Sequence, residues 1–409
     1  GGYTSVDDGS EGAFMAEGGD GVLAFHVDGF RREGDDYDIP GAPGKQANSF
    51  YEADGHAVGG SLVFDRGYFG LSVSRYSSLY GIPGEEAAER EVRIDLEQTK
   101  LMGKGEWRPA GGVIEAVRTW FGISDYEHDE IARHDPGDPL EVGSTFVNKQ
   151  REGRTEVQFR RKSLSIGQLD SAIGLQLGER KLSGSGEAGE LIAPATTKRI
   201  AGYVFEELAT SPTLKFQLAG RVEHVDIDGT AALFPAALVP PPNEPDEESR
   251  NPDFTPVSAS AGLLKTLPRG VKASFNMQYV ERAPEAPELF SKGPHEATGT
   301  FEIGNPDLDI EKARSFEFGL RRAEGRFRFD GTVFHTQYDD FIYKFFTGIQ
   351  CGEEFVECDV ETELDQVLYS QQDATFYGGE VQAELDVMPV WRGMFGIDGQ
   401  FDIVKASFA

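Results

Sequence analysis

The chain has 409 residues, with 70 Asp and Glu against 39 Lys and Arg, a formal net charge of −31, 50 Gly and only 2 Cys. So acidic a surface argues against nucleic acid as a partner, and so few Cys exclude both a disulfide-framed scaffold and a Cys-rich zinc module. No stretch approaches the roughly 18 to 20 apolar residues of a membrane helix, a test that is blind to membrane strands.

Gly1 is not an initiator Met and no charged-then-apolar segment follows it, so the sequence reads as a mature chain or an excised piece. The first turn signal is Gly18-Gly19, and a long polar stretch, Glu33 to Asn48, comes next. After the turn Asp65-Arg66-Gly67, Phe69, Leu71 and Val73 alternate with other residues, and Val92, Ile94 and Leu96 alternate with Arg93, Asp95 and Glu97. Strict period two predicts strands with one apolar face each. Further hairpin turns are marked at Ala110-Gly111, near Gly167 to Asp170, at Ser211-Pro212 and at Pro268-Arg269-Gly270. Between them lie the polar stretches Glu127 to Gly143 and Gly229 to Thr255. The second carries Pro240, Pro241, Pro242, Pro245 and Pro252 among acidic residues and reads as one surface loop, because strand patterns resume on both sides. Ala283 to Asp309 is the next long loop. Phe316, Phe318 and Leu320 then alternate with Ser315, Glu317 and Arg321, followed by the turn Glu324-Gly325. After the loop Lys344 to Ser370, the strand Val381, Ala383, Leu385 and Val387 leads to a turn at Met388-Pro389.

Tight turns at one end and long loops at the other, joining about 16 strands, is the connectivity of an antiparallel transmembrane β-barrel. The fold class is all-β, and residues 1–409 read as one barrel domain. A solenoid would show a fixed short repeat, which is missing. A soluble sandwich alternates in the same way, so the loop asymmetry decides between them. The functional alternative is an acidic secreted or surface-attached β protein for adhesion or calcium binding.

Chemistry-bearing residues are few. His128, Asp129 and Glu130 fall where a strand gives way to a long loop, and imidazole with carboxylate suits zinc and other borderline divalent metals. Alternation lets His128 and Glu130 converge while Asp129 points away. The alternative is a solvated acidic loop with an incidental His. Cys351 and Cys358, in CGEEFVEC, read as a loop-stapling disulfide on an oxidising cell surface, with metal binding by the thiols as the other reading. The acids around them, Glu353, Glu354, Glu357, Asp359, Glu361 and Glu363, lack the spacing of a calcium cage and read as a hydrated loop. Trp107, Trp120 and Trp391 are expected in the aromatic girdles of a barrel. No GxSxG elbow, HExxH pair or phosphate-cradling loop is present, so the chain is not expected to be an enzyme.

Four stretches carry a family resemblance: Glu281 to Asn305 (ERAPEAPELFSKGPHEATGTFEIGN), Pro306 to Arg322 (PDLDIEKARSFEFGLRR), Phe334 to Tyr343 (FHTQYDDFIY) and Ala374 to Gln382 (ATFYGGEVQ). Together they resemble the barrel of TonB-dependent outer-membrane receptors. That resemblance implies about 22 strands closed around a plug. The plug and the last strands are expected to be missing here, since the first residues are hairpin-like and FDIVKASFA looks mid-barrel. Within the family the chain looks most like the zinc-uptake receptors, at RYSSLYGIPG (Arg75 to Gly84), GISDYEHDE (Gly122 to Glu130) and GPHEATGTFEIGN (Gly293 to Asn305). It departs from them where a His-rich loop is usual, since GEEAAER stands there instead. The resemblance adds His295 to His128, Asp129 and Glu130 as the candidate metal set. It implies a bacterial outer-membrane receptor that needs no cofactor and takes zinc, another divalent metal or a metal chelate such as a siderophore as its transported ligand. Its partners would be outer-membrane lipid and, through the plug, the TonB-ExbB-ExbD energy-coupling system. On this reading the net −31 concentrates in loops and lumen, giving a mouth that attracts cations.

Overall fold

In a computed structural model the described residues form a single sheet of 22 strands. The structure describes residues 1–408 except 136, 234–245, 296–297, 353–357 and 359–363. The acidic set around the two Cys therefore lies outside the described residues, as do Pro240, Pro241, Pro242 and Pro245. Among the described residues no helix is long and apolar enough to cross a membrane.

Six of the strands are pieces of five residues or fewer. The other sixteen, of 10 to 27 residues, form an antiparallel meander. Its first half is β1 (Gly9–Gly19), β2 (Leu23–Gly34), β3 (Tyr51–Phe64), β4 (Gly67–Gly81), β5 (Arg93–Trp107), β6 (Ile114–Ala132), β7 (Glu141–Phe159) and β8 (Gly167–Gly186). The second half is β9 (Ala195–Ser211), β10 (Leu214–Leu233), β11 (Val257–Thr266), β12 (Val271–Arg282), β13 (Glu311–Arg322), β14 (Phe327–Cys351), β15 (Leu364–Val390) and β16 (Gly393–Phe408). Each pairs with its neighbour in sequence. Among the described residues no pairing joins β1 to β16.

Period-two alternation gives the sheet two unlike faces. Outward, Phe69, Leu71 and Val73 of β4 continue through Leu62 and Val58 of β3 to Leu23 and Val27 of β2. Most of these large side chains are exposed, as a surface that meets lipid must be. Inward, Ser72, Lys104, Arg118, Glu106, Arg154 and Glu156 make a polar wall, with Arg118 Nε 2.7 Å from Glu106. Trp120 belongs to this wall. It is the register partner of Arg154, whose guanidinium lies 5.4 Å from the indole centroid. The girdle expectation fails for Trp120 because its place in the alternation turns it to the lumen, whereas Trp107 and Trp391 are exposed near the short-turn end.

The apolar alternation at Ile94 and Leu96 has the opposite sense. These residues share the inner face with Glu130 and His128, their register partners, and Ile94 is buried. Near the long-loop end the outer face meets water rather than lipid, so apolar side chains there gain by turning inward.

The short turns fall within a few residues of their expected places. Met388-Pro389 is the main exception: β15 bulges there and runs on to Val390, and the turn is made at Trp391, whose φ of 50° is left-handed. The long polar stretches contain more strand than expected, because paired strands continue beyond the apolar band. β6 extends to Ala132, so His128, Asp129 and Glu130 lie within a strand.

Buried apolar side chains gather at the long-loop end. The short helix Ala286–Phe290 presses Leu289 and Phe290 against Val225 and Ile227 of β10 and Ala195 of β9. Gly229 permits this approach, since a Cβ there would stand 2.3 Å from the Phe290 ring. Burying a Leu or Phe contributes about 1.5–3 kcal/mol, so these two residues hold the loop onto the inner wall. The helix start is fixed electrostatically as well. Glu285 accepts from Arg180 (3.2 Å) and Arg199 (2.6 Å), while Glu288 pairs with Arg282 at 2.9 Å and caps the Glu285 amide at 2.7 Å.

Candidate metal-binding wall

The loop after the helix Ala286–Phe290 carries His295, which the family resemblance set beside His128. Lys292–His295 and Thr300–Ile303 form a small antiparallel hairpin, with His295 opposite Thr300. The second strand of the hairpin also pairs in parallel with Asp365 to Leu368 of β15. Gly293 sits where a Cβ would come within 2.9 Å of the Glu190 carbonyl oxygen, in the short helix Ala188–Leu191, so the hairpin packs close to the wall. Thr300–Ile303 is paired on both of its edges, to the strand of His295 and to β15, and this fixes where His295 stands.

His128 and Glu130 are two residues apart on one face of β6, with Nε2 to Oε1 at 3.7 Å. Tyr126, two residues earlier on the same face, places its hydroxyl 3.0 Å from His128 Nδ1. Phe146 of β7, the register partner of His128, stacks on the imidazole at 4.9 Å between centroids. The other side of the grouping is His295, whose ring centroid is 5.8 Å from that of Phe146. The structure therefore brings His128, Glu130 and His295 to one inner wall, with Phe146 between the two imidazoles. Asp129 does not join them. Strand alternation turns it to the opposite face, where it accepts a hydrogen bond from Thr145 at 2.5 Å.

His295 has its own carboxylate. Its Nδ1 lies 2.9 Å from Glu302 Oε1, which also accepts from Lys344 Nζ at 2.5 Å, while Tyr369 donates to Oε2 at 3.0 Å. Glu302 is only 4% exposed. Burial alone would disfavour its charged form, but hydrogen bonds from His295 and Lys344 outweigh that cost and hold the carboxyl at about 2. Each imidazole is thus tethered through Nδ1, which leaves Nε2 as the candidate coordinating nitrogen, turned in His128 toward Glu130.

Among the described residues no three His, Cys, Asp or Glu stand close enough to enclose a metal. What the wall offers is two oriented imidazoles and Glu130. A groove of 1080 Å³, bordered by Glu17, His26, Lys104, Trp120, Glu152 and Arg154, lies lower on the sheet and touches none of the candidate ligands. Packed against Phe301 and Ile303 of the hairpin, Cys351 and Cys358 are bonded, S–S 2.12 Å, and the fully buried Gln366 directs its amide to Cys351 Sγ at 3.3 Å.

Sequence reasoning missed Tyr126, Phe146, Glu302, Lys344 and Tyr369. A signal existed for Glu302. A hairpin that pairs His295 with Thr300 puts residue 302 on the same face as 300, one pleat from the imidazole. Lys344 and Tyr369 lie 42 and 67 residues away from Glu302 in sequence, and no local pattern links them.

A family model described as TonB-dependent receptor-like β-barrel matches residues 9–408. The chain belongs to this family. It is an all-β barrel of the bacterial outer membrane, and members of the family are transporters rather than enzymes. Solved structures of similar fold include the copper transporter OprC, 15% identical with a TM-score of 0.73, covering 98% of this chain and 60% of that one. A double mutant of the Serratia marcescens hemophore receptor HasR, in complex with its hemophore HasA and heme, is 14% identical with a TM-score of 0.74, covering 94% and 60%. The FrpB iron transporter from Neisseria meningitidis (F3-3 variant) is 11% identical with a TM-score of 0.69, covering 98% and 61%. The chain thus spans about three fifths of the length of these proteins. At such identities the likeness is one of fold.

Proposed function

We propose that this chain is the barrel of a TonB-dependent uptake receptor whose cargo is a divalent metal, zinc foremost, or a metal chelate. Family membership supports uptake energised through TonB, with ExbB and ExbD as partners in the inner membrane. The observation that carries the cargo reading is the inward grouping of His128, Glu130 and His295 beside Phe146. Zinc takes imidazole nitrogen and carboxylate oxygen, and tethering through Nδ1 is how ligating histidines are commonly oriented. Remaining coordination positions fall to water, to other parts of the receptor or to the chelator. The acidic adhesin alternative loses its ground once the chain belongs to a transporter family. The printed titles of the similar structures name copper, iron and heme, which keeps those metals in the comparison as competing cargo.

The test is calorimetric titration of the detergent-purified receptor with zinc, copper and a ferric chelate. His128→Ala and His295→Ala should each weaken zinc binding by at least roughly tenfold. Unchanged zinc affinity in both variants would remove this cargo assignment and leave the barrel untouched.

A further inference from the structure

The hairpin that carries His295 belongs to a small sheet with two unlike faces. Its strand Thr300–Ile303 runs parallel to residues 365–368 of β15, and β15 in turn pairs with the end of β14. Register partners share a face, and neighbours along a strand do not. On one face stand His295, Thr300 and Glu302 of the hairpin, with Tyr369 of β15 and its partner Lys344 of β14. On the other stand Phe301 and Ile303, their partners Gln366 and Leu368 on β15, and Leu364 opposite Cys351. The face turned away from the His295 network is therefore the one that meets the disulfide.

This back face is apolar and closed to water. Phe301 is 1% exposed, Cys351 is wholly buried, Ile303 and Leu364 are buried, and Cys358 packs against them. Gln366 is wholly buried as well. Its amide donates to both sulfurs, at 3.3 Å from Cys351 Sγ and 3.7 Å from Cys358 Sγ, while its Oε1 has no partner among the described residues. An amide in an apolar cluster costs free energy unless its groups are met, so Gln366 is suited to a place where two sulfurs lie side by side. Composition works against this packing. Glu353, Glu354 and Glu357 lie between the two Cys in sequence, and Asp359, Glu361 and Glu363 follow. Carboxylates favour water and repel one another, and a covalent tie between Cys351 and Cys358 keeps both sulfurs at the cluster despite them.

We propose that Cys351 and Cys358 are positioning residues for metal uptake: their disulfide backs the strand Thr300–Ile303 and so holds His295, on its other side, in the orientation that binds the cargo. This rests on the metal reading of the wall formed by His128, Glu130 and His295. The route is short. The disulfide packs on Phe301 and Ile303, which flank Glu302 in the chain, and Glu302 holds His295 Nδ1 at 2.9 Å. His128 stands on β6, which is held by its pairing with β5 and β7. The disulfide therefore acts on one of the two imidazoles, a selectivity that a general loss of stability does not produce.

The receptor is purified in detergent with and without the pair Cys351→Ser, Cys358→Ser, in three backgrounds: otherwise unaltered, His128→Ala and His295→Ala. Heat-modifiable gel migration checks that each barrel is folded. Hydrogen exchange at Thr300–Ile303 should quicken by at least roughly tenfold without the disulfide. Calorimetric zinc affinity should fall by at least roughly tenfold in the unaltered and His128→Ala backgrounds. In the His295→Ala background it should change by less than about threefold, because the imidazole that the disulfide serves is already gone. Phe301→Ala keeps both Cys and removes the ring they pack on, and it should quicken exchange in the same segment even if the Ser pair misfolds. Exchange within about threefold of the unaltered receptor in a folded variant, or an equal zinc loss in the two His backgrounds, overturns the proposal. An unaltered receptor that binds no zinc overturns the cargo reading instead, and exchange then decides whether the disulfide positions the hairpin.

Discussion

Replacing Glu302 by Gln removes the charge on which the hairpin of His295 depends. The carboxylate is 4% exposed and receives His295, Lys344 and Tyr369. Its carboxyl is held at about 2 against an ordinary 4.5. Each unit is worth about 1.4 kcal/mol, so the charged form contributes about 3 kcal/mol to the docked hairpin at neutral pH. Gln keeps one acceptor oxygen and should lose most of that, about 2–3 kcal/mol, which is roughly a 30- to 150-fold rise in hairpin opening. Hydrogen exchange at Thr300 to Ile303 and Asp365 to Leu368, which pair in parallel, reads the change directly. The sign with pH follows from a depressed carboxyl. Its stabilisation is complete above about 4.5 and is lost as pH falls toward 2, so the unaltered hairpin should loosen across that window while the Gln variant responds little. Zinc affinity should fall roughly 10- to 100-fold, because His295 loses the partner that orients it. Exchange that changes by less than about threefold would refute the view that Glu302 holds the hairpin.

Glu285→Ala leaves Arg180 and Arg199 without their shared carboxylate. All three side chains are about one third exposed, so the loss is about 1 kcal/mol, and limited trypsin digestion should cleave more readily at Arg282 and Lys292.

The sheet was legible in the sequence because two local signals reinforce each other. Alternation at Phe69, Leu71 and Val73 reports a strand with a lipid face, and Asp65-Arg66-Gly67 reports the turn that pairs it. The same alternation misleads near the long-loop end, where Ile94 and Leu96 point inward, because pattern alone does not say which face meets lipid and which meets water. Trp120 is the same problem in one residue. The candidate site was readable only in part. His128 and Glu130 share a face by parity, which sequence supplies, and Asp129 is excluded by the same rule. His295 reaches them through hairpin docking against β15, and its support from Lys344 and Tyr369 depends on contacts far apart in the chain. The interposed Phe146 follows from the register of β6 against β7, which no composition signal fixes.

The central claim is that the inward wall formed by His128, Glu130 and His295 binds the metal cargo. Anomalous diffraction from receptor crystals soaked in zinc, measured on both sides of the zinc absorption edge, tests it most directly. The account predicts an edge-dependent peak beside Phe146, within coordination distance of Nε2 of His128 or His295, that disappears in the double variant His128→Ala, His295→Ala. Zinc bound elsewhere with this wall empty, or a peak that survives the double variant, would contradict it.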